Sequence, residues 1–461
     1  MILPPQLVML AWFPILLFIF TQFPPRKAVI ICFLMAWLFL PQRAGFALPG
    51  LPDYTRISAT CYGILLATVL FDAQRFTAFK FGWLDVPMTI FCISPFFSSI
   101  SNDLGAYDGL SAILNQTVSY GLPYFLGRIY FKDLLSLRQL AIGIFISGLI
   151  YVPLCLYEIR MSPQLHRMVY GYFSHSFAQS MRLGGWRPTV FMLHGLEVGM
   201  WMMACTLIGI WLWQAKVIKK VWNIPITWLM MGLTVTFILI KSTGAYLYLV
   251  CGIVILFGAR QFRSVLPVLL LIIGLCLYLG IASTGNLSDQ QIKNIVSIAT
   301  NIAGEERASS LGFRLENEKK LIDKALERPI LGWGGWGRNR VYDYNWADEL
   351  VDVSTTDSLW VIIYGVQGYV GLISIYASFL LPAWRFFTIG YSPRLWFHPQ
   401  IAPAAVLSVV IVLYMLDNTL NAMFNPIFTV VSGGIAGLVM QKQPQSPKIY
   451  TKPRKMRISS P

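Results

Sequence analysis

The chain has 461 residues, of which 56% are hydrophobic and only 12% charged, and its mean hydropathy is +0.61. A soluble domain carries about 25% charged residues, so a water-soluble globular fold is excluded and a polytopic membrane protein is indicated. The formal charge of +15 would suit nucleic acid, but the basic residues sit in short connectors between apolar runs, which is the positive-inside pattern. No nucleic-acid partner is expected.

In chain order the apolar runs are 7–22, 28–40, 58–70, 88–99, 110–126, 140–157, 190–213, 222–240, 246–257, 265–281, 359–384, 401–416 and 427–440. They approach the roughly 20 residues that a helix needs to cross hydrocarbon. Helices satisfy their own backbone in lipid, so the expected fold is all-α, a polytopic integral membrane bundle of about 12–13 spans. The first run has no basic region before it and no small-residue cleavage site after it, and reads as a retained span. Basic connectors follow at 26–27, 128–138, 216–220, 260–263 and 385–394. The tail adds Lys442, Lys448, Lys452, Arg454, Lys455 and Arg457 without an acid, which assigns it to the cytoplasm beside anionic headgroups.

Working back from the tail, the connectors 102–108, 160–187, 241–243, 284–356 and 417–426 fall outside. The division is an N-terminal bundle at 1–283, a large extracytoplasmic loop at 284–356, C-terminal spans at 357–440 and a basic tail at 441–461. Two outer connectors, 160–187 and 284–356, hold several arginines against the charge rule and need another reason for them. The seven cysteines all fall in apolar runs with no Cys-x-x-Cys pair. They read as small core residues, with neither a disulfide framework nor a zinc site.

Within the large loop, residues 309–328 read as an amphipathic helix. Leu311, Leu315, Ile322, Ala325 and Leu326 lie on one face, with Glu316, Lys319, Lys320, Asp323, Lys324 and Glu327 opposite. Pro329 ends it. Gly332, Gly334, Gly335 and Gly337 then let backbone turn sharply and approach a ligand. Trp333 and Trp336 are candidates for stacking on sugar rings or anchoring at the membrane interface. No Gly-Lys-Ser/Thr follows, so this is not a Walker loop.

These residues resemble a superfamily of membrane glycosyltransferases, the O-antigen ligases and O-antigen polymerases (Wzy-type). The resemblance rests on Arg314, Lys324-Ala-Leu-Glu-Arg-Pro-Ile-Leu-Gly-Trp-Gly334, Thr356-Asp-Ser-Leu-Trp360 and Gly368-Tyr-Val-Gly-Leu372. Looser matches are Arg187 with Phe191 and His194-Gly195, Ser242-Thr-Gly-Ala245, and Asn425-Pro426 with Gly433-Gly434. The resemblance covers 125–440 and is specific over 307–372. It implies a GT-C-like membrane glycosyltransferase in the bacterial inner membrane, with the large loop periplasmic. Such an enzyme moves an oligosaccharide from undecaprenyl diphosphate onto an acceptor glycan or lipid by an inverting, metal-independent displacement without a cofactor, with polysaccharide export machinery as a further partner. Ligases of this family tend to carry a histidine near the end of the loop. Here Thr356-Asp357 stands in its place, which tilts the reading toward polymerase or an exopolysaccharide branch.

A departing diphosphate gathers negative charge, and guanidinium groups, always ionised and planar, suit it. Arg187 and Arg314 are the first candidates; Arg182, Arg338 and Arg340 come second, against the plain alternative of a headgroup-facing arginine. Asp357 opens a span and is either a base or acceptor-orienting group, or an acid satisfying a helix dipole. His194 and Glu197, three apart in one span, share one helix face and read as a proton relay, a metal pair or a hydrogen-bonded couple, with substrate binding as their role in the site. Asp417-Asn418 is open to the same readings. His166 and His175 read as solvated, and no metal cluster is evident. The rival functions are a polysaccharide or lipid-linked-sugar transporter, with His194, Glu197, Asp72 and Lys241 as charges within the membrane, and a non-enzymatic export subunit.

Overall fold

The computed structural model describes residues 2–441 except Ala78, Leu183, 286–288, Trp336 and Ala347; Trp336 and the basic tail 442–461 therefore lie outside the described residues. Each apolar run contains a helix, though the run 110–126 divides into two and the run 190–213 is helical only from Gly195. The order is α1 (Pro5–Gln22), α2 (Pro25–Phe39), α3 (Arg56–Phe71), a short α4 (Gln74–Thr77), α5 (Val86–Ser101) and α6 (Ala106–Gln116). A π-helical turn joins α6 to α7 (Leu122–Tyr130), followed by α8 (Leu134–Met161), a short α9 (Leu165–Tyr170), α10 (Gly195–Gln214), α11 (Ile226–Leu239) and α12 (Thr243–Phe262). Then come α13 (Leu266–Ala282), α14 (Asp289–Ala303), α15 (Glu305–Leu326), α16 (Leu359–Arg385), α17 (Ala402–Asp417) and α18 (Pro426–Met440). Among the described residues, six helices are long and apolar enough to cross a membrane and five shorter ones are apolar. Among the described residues, strands occur only as two-stranded hairpins in connectors.

Local chemistry starts these helices. Pro5 and Pro25 stand at first helical positions, where no amide hydrogen is needed. Thr55 with Ser58 and Asp133 with Ser136 form capping boxes on α3 and α8. Burial then sorts the helices. Almost every residue of α10, α17 and α18 is buried, as expected of helices apolar all round at the centre of a bundle. By contrast, α1 and α12 bury only part of their residues and leave apolar side chains facing outward. At the centre α7 and α18 cross backbone to backbone. A Cβ on Gly127 would stand 2.2 Å from the Val430 carbonyl oxygen, and one on Gly433 would stand 2.1 Å from that of Tyr124, so small residues set this crossing.

The connectors assigned to one side do gather at one end of the bundle. The Asn102 amide donates to the Gly332 carbonyl at 2.8 Å, Arg187 donates to Ser242 at 3.0 Å and the Leu359 amide donates to the Asn418 carbonyl at 3.1 Å. The 40–55 connector joins them, since the Gln42 amide donates to His166 Nε2 at 3.2 Å. Leu3 lies at this end, bonded to the Val169 carbonyl at 2.8 Å. Gln441 lies at the other, donating to the Lys132 carbonyl at 3.1 Å.

One continuous apolar run hides a break. Within α16, Gly368 has φ 61° and ψ −159°, and the turn after α15 fills the gap. Tyr369 N–H donates to the Pro329 carbonyl at 2.8 Å and Val370 N–H to that of Ile330 at 3.2 Å. In return Trp333 N–H donates to the Gly365 carbonyl at 2.9 Å and Gly334 N–H to that of Val366 at 3.0 Å. The peptide groups freed by the break are thus accounted for. Gly332 and Gly334 have φ of 70° and 75°, and a Cβ on Gly332 would sit 2.4 Å from the Val366 carbonyl carbon. Sequence reasoning reserved this turn for a ligand; in the structure the backbone approached at Gly332 is that of α16.

Candidate functional site

Arg187 is placed by an acid in the membrane-spanning α8. Glu158 is fully buried and accepts from the amides of Leu165 at 2.8 Å, Thr189 at 2.8 Å and Val190 at 2.7 Å. These bonds fix the strand-like turn that carries Arg187, in which Val190 holds a positive φ of 51°. The Arg187 side chain is only 6% exposed. Its Nη2 donates to Ser242 Oγ, the residue before α12, at 3.0 Å. Its stem lies on Gly195, where a Cβ would come within 2.5 Å of Arg187 Cδ. The Arg…His-Gly and Ser-x-Gly-Ala motifs are therefore parts of one arrangement.

His194 precedes α10 and stands outside the span. Its Nδ1 accepts from the Leu196 amide at 3.0 Å, which leaves the ring proton on Nε2. Burial first, then His175, Arg187, Arg182 and Arg314, push this imidazole down to about 3. It is a neutral ring in a field of arginines, 4.7 Å from the His175 ring centroid. The relay read from His194 and Glu197 separates in the structure. Glu197 accepts from the Leu193 amide at 2.9 Å and lies 3.9 Å from Arg56 of α3, whereas His194 turns to His175. His166, read as solvated, is buried at 2% exposure, because the Gln42 amide and the Tyr172 carbonyl occupy its two nitrogens.

Arg314 arrives from the other side, on α15. Its Nη1 donates to the Leu420 carbonyl at 3.1 Å and the Asn421 amide oxygen at 3.4 Å. Asn421 in turn donates to buried Asp417 at 2.7 Å. Tyr248 of α12 also bonds Asp417, and both Arg314 and Arg187 act on that carboxylate. Two arginines remote in sequence thus act on one buried acid at the end of α17.

The helix bearing Arg314 is pinned one turn later. Glu318 is 8% exposed and accepts from Trp360 Nε1 at 2.7 Å, Ser358 Oγ at 3.1 Å and the Tyr278 hydroxyl at 3.2 Å. Burial raises its pKa against the pull of those donors and Arg314. Asn317 accepts from the Thr355 amide at 3.2 Å. Asp357, itself exposed, lines a narrow crevice with Phe313, Arg314, Asn317, Glu318 and Thr355.

Arg182 is exposed on the hairpin Met181–Arg182/Gly185–Trp186, close enough to act on His194. Arg338 is exposed, while Arg340 pairs with Asp352 and donates to Thr356 at 3.3 Å. Trp333 donates to the Lys324 carbonyl at 2.8 Å and carries the Lys324 ammonium 3.8 Å from its ring centroid, so it seals the end of α15. Among the described residues no three His, Cys, Asp or Glu form a group that could hold a metal.

Sequence reasoning missed Glu158, Glu318, Tyr248 and Asn421. The signal for Glu318 was present, an acid three residues after Leu315 on the apolar face of α15. Glu158 likewise ends an apolar run, where an ionisable group calls for a partner.

Residues 226–376 match the family model of the O-antigen ligase. The match spans Ser242, Tyr248, Arg314, Glu318, Asp357 and the break in α16 at Gly368, while Arg187, His194 and Asp417 lie beyond it. No curated protein matches the chain.

Proposed function

We propose that this chain, whose residues 226–376 match the O-antigen ligase family model, transfers or polymerises an oligosaccharide from undecaprenyl diphosphate onto an acceptor glycan or lipid. In this reading the gathered connectors face the periplasm of a bacterial inner membrane and residues 442–461 face the cytoplasm. The observation that supports it is that Arg187 and Arg314, from two connectors bonded at Ser242 and Leu420, both act on one buried acid, Asp417, at one end of the bundle.

The diphosphate of the donor lies against the two guanidiniums. As the bond from the anomeric carbon to the diphosphate breaks, charge grows on the departing oxygen, and fixed cations in a partly dewatered site favour that state over the bound donor. Neutral His194 offers its Nε2–H to the same anion without adding a third positive charge. The acceptor hydroxyl attacks from the opposite face, inverting the anomeric centre. Its proton passes to Asp357, the exposed carboxylate in the crevice beside Arg314. No metal enters this scheme. An apolar groove between α13 and α16, lined by Ile273, Leu277, Gly280, Leu372, Tyr376 and Trp384, suits a polyprenyl chain below.

The test is turnover of undecaprenyl-diphosphate-linked oligosaccharide in membranes holding matched amounts of wild type or Arg314→Ala. Loss of one such donor typically lowers turnover by about 10²–10³-fold. Equal release of carrier diphosphate by the two proteins sinks the proposal. The transporter reading gains no support, since Asp72 pairs with Arg75 at 2.7 Å and Glu197 faces Arg56.

A further inference from the structure

Between the glycine turn and Asp357 the loop forms a hairpin, Tyr342–Tyr344 paired with Leu350–Asp352. It is tightly made. Val353 N–H donates to the Val341 carbonyl at 3.0 Å. Glu349 N–H donates to Asn345 Oδ1 at 3.0 Å, and Ser354 Oγ donates to Asp352 at 2.7 Å. Arg340 closes the base through its pair with Asp352. Yet its side chains are unusually bare: Tyr344 is 66% exposed, Leu350 60% and Trp346 98%. Tyr342 and Tyr344 share one face, their Cα atoms about 6.6 Å apart by strand geometry.

We propose that this hairpin is the docking strip for the acceptor, a neutral polysaccharide chain laid across Tyr342, Tyr344 and Trp346. The inference rests on the transfer reading above. Rigid aromatic rings offer flat apolar surfaces at low entropic cost, matching the C–H faces of pyranoses. Asp343, Asp348 and Glu349 neighbour the rings in sequence, and carboxylates accept hydrogen bonds from sugar hydroxyls. The same acids argue against the membrane as occupant. In a chain of net charge +15 this tip is locally acidic, and anionic headgroups repel it where they attract the basic connectors. Position completes the argument. Thr355, just past the hairpin, lines the crevice that holds Arg314 and Asp357, so a glycan on the strip presents its end to the proposed base.

The experiment uses the full chain in lipid nanodiscs and short oligosaccharides released by mild acid from the surface polysaccharide of the bacterium that carries it. Saturation-transfer NMR reads transfer from protein to sugar ring protons. Wild type saturates those protons, and Tyr344→Ala/Trp346→Ala weakens binding roughly tenfold or more. Absence of saturation in wild type, equal binding by the double variant, or quenching of Trp346 fluorescence by brominated lipid each overturns the strip. Carrier turnover, measured alongside, separates the two readings. Turnover with variant-independent glycan binding removes the strip alone; variant-sensitive binding without turnover removes the transferase and keeps a glycan site.

Discussion

Replacing Gly368 by alanine tests whether the glycine turn locks the loop onto the broken helix. At φ 61° and ψ −159° the residue occupies a region open almost only to glycine, where another side chain costs about 1–3 kcal/mol. The new Cβ would lie 2.3 Å from the Ile330 carbonyl oxygen and 2.6 Å from the Leu331 nitrogen. Both atoms are backbone, so relief requires the turn to withdraw. That withdrawal breaks the bonds from Tyr369 to Pro329 and from Val370 to Ile330, at about 1 kcal/mol each. The total is about 3–5 kcal/mol, enough to raise the open population of the loop by more than about a hundredfold. Limited proteolysis of native membranes, read as cleavage within 284–356, measures that opening directly. Gly232→Ala is the control, since a Cβ there meets nothing within 4 Å. If Gly368→Ala and Gly232→Ala are cut at the same rate and melt at the same temperature in detergent, the lock does not exist.

Arg187→Lys keeps the stem on Gly195 but loses the planar fork, so turnover should fall about 10–100-fold while the protein melts within a few degrees of wild type; kcat and melting temperature together check this. For His194 the folded pKa lies near 3 and the unfolded one near 6.5. The unfolded chain therefore binds the extra proton between those values, and stability falls as pH drops through that window, by up to about 1.4 kcal/mol per pH unit. His194→Asn removes this slope, which paired denaturation series at neutral and acid pH reveal; parallel curves refute it. Glu318→Leu strands the three donors of Trp360, Ser358 and Tyr278 and should free α15 to proteolysis, whereas Glu318→Gln, which still accepts, should retain most of the protection.

The apolar runs and basic connectors made the helical membrane class and the gathering of connectors readable, because hydrocarbon thickness and charge bias act residue by residue, whereas against the 12–13 spans expected only six helices among the described residues are long and apolar enough to cross, with five shorter apolar ones beside them. The amphipathic α15 was readable for the same reason, its period reporting one buried face. The break in α16 was not, since an apolar run looks continuous whether or not Gly368 leaves the helix. The partner of the glycine turn was equally hidden: composition announces a turn, while what it touches depends on the packed bundle. Arg187 and Arg314 stood out as arginines on the wrong side of the charge rule. The acids that position them did not, because Glu158 and Glu318 look like ordinary interruptions until their hydrogen bonds are seen.

Glu158 bears on how the chain is made. A carboxylate in a membrane helix needs donors, and here they come from residues 7, 31 and 32 positions later, so they follow soon after it during synthesis. Asn102 waits much longer, since the Gly332 carbonyl it meets is 230 residues downstream. The Arg187 corner can thus form while the ribosome is still translating the next helices, whereas the clasp between α5 and the loop forms only after most of the bundle has been inserted.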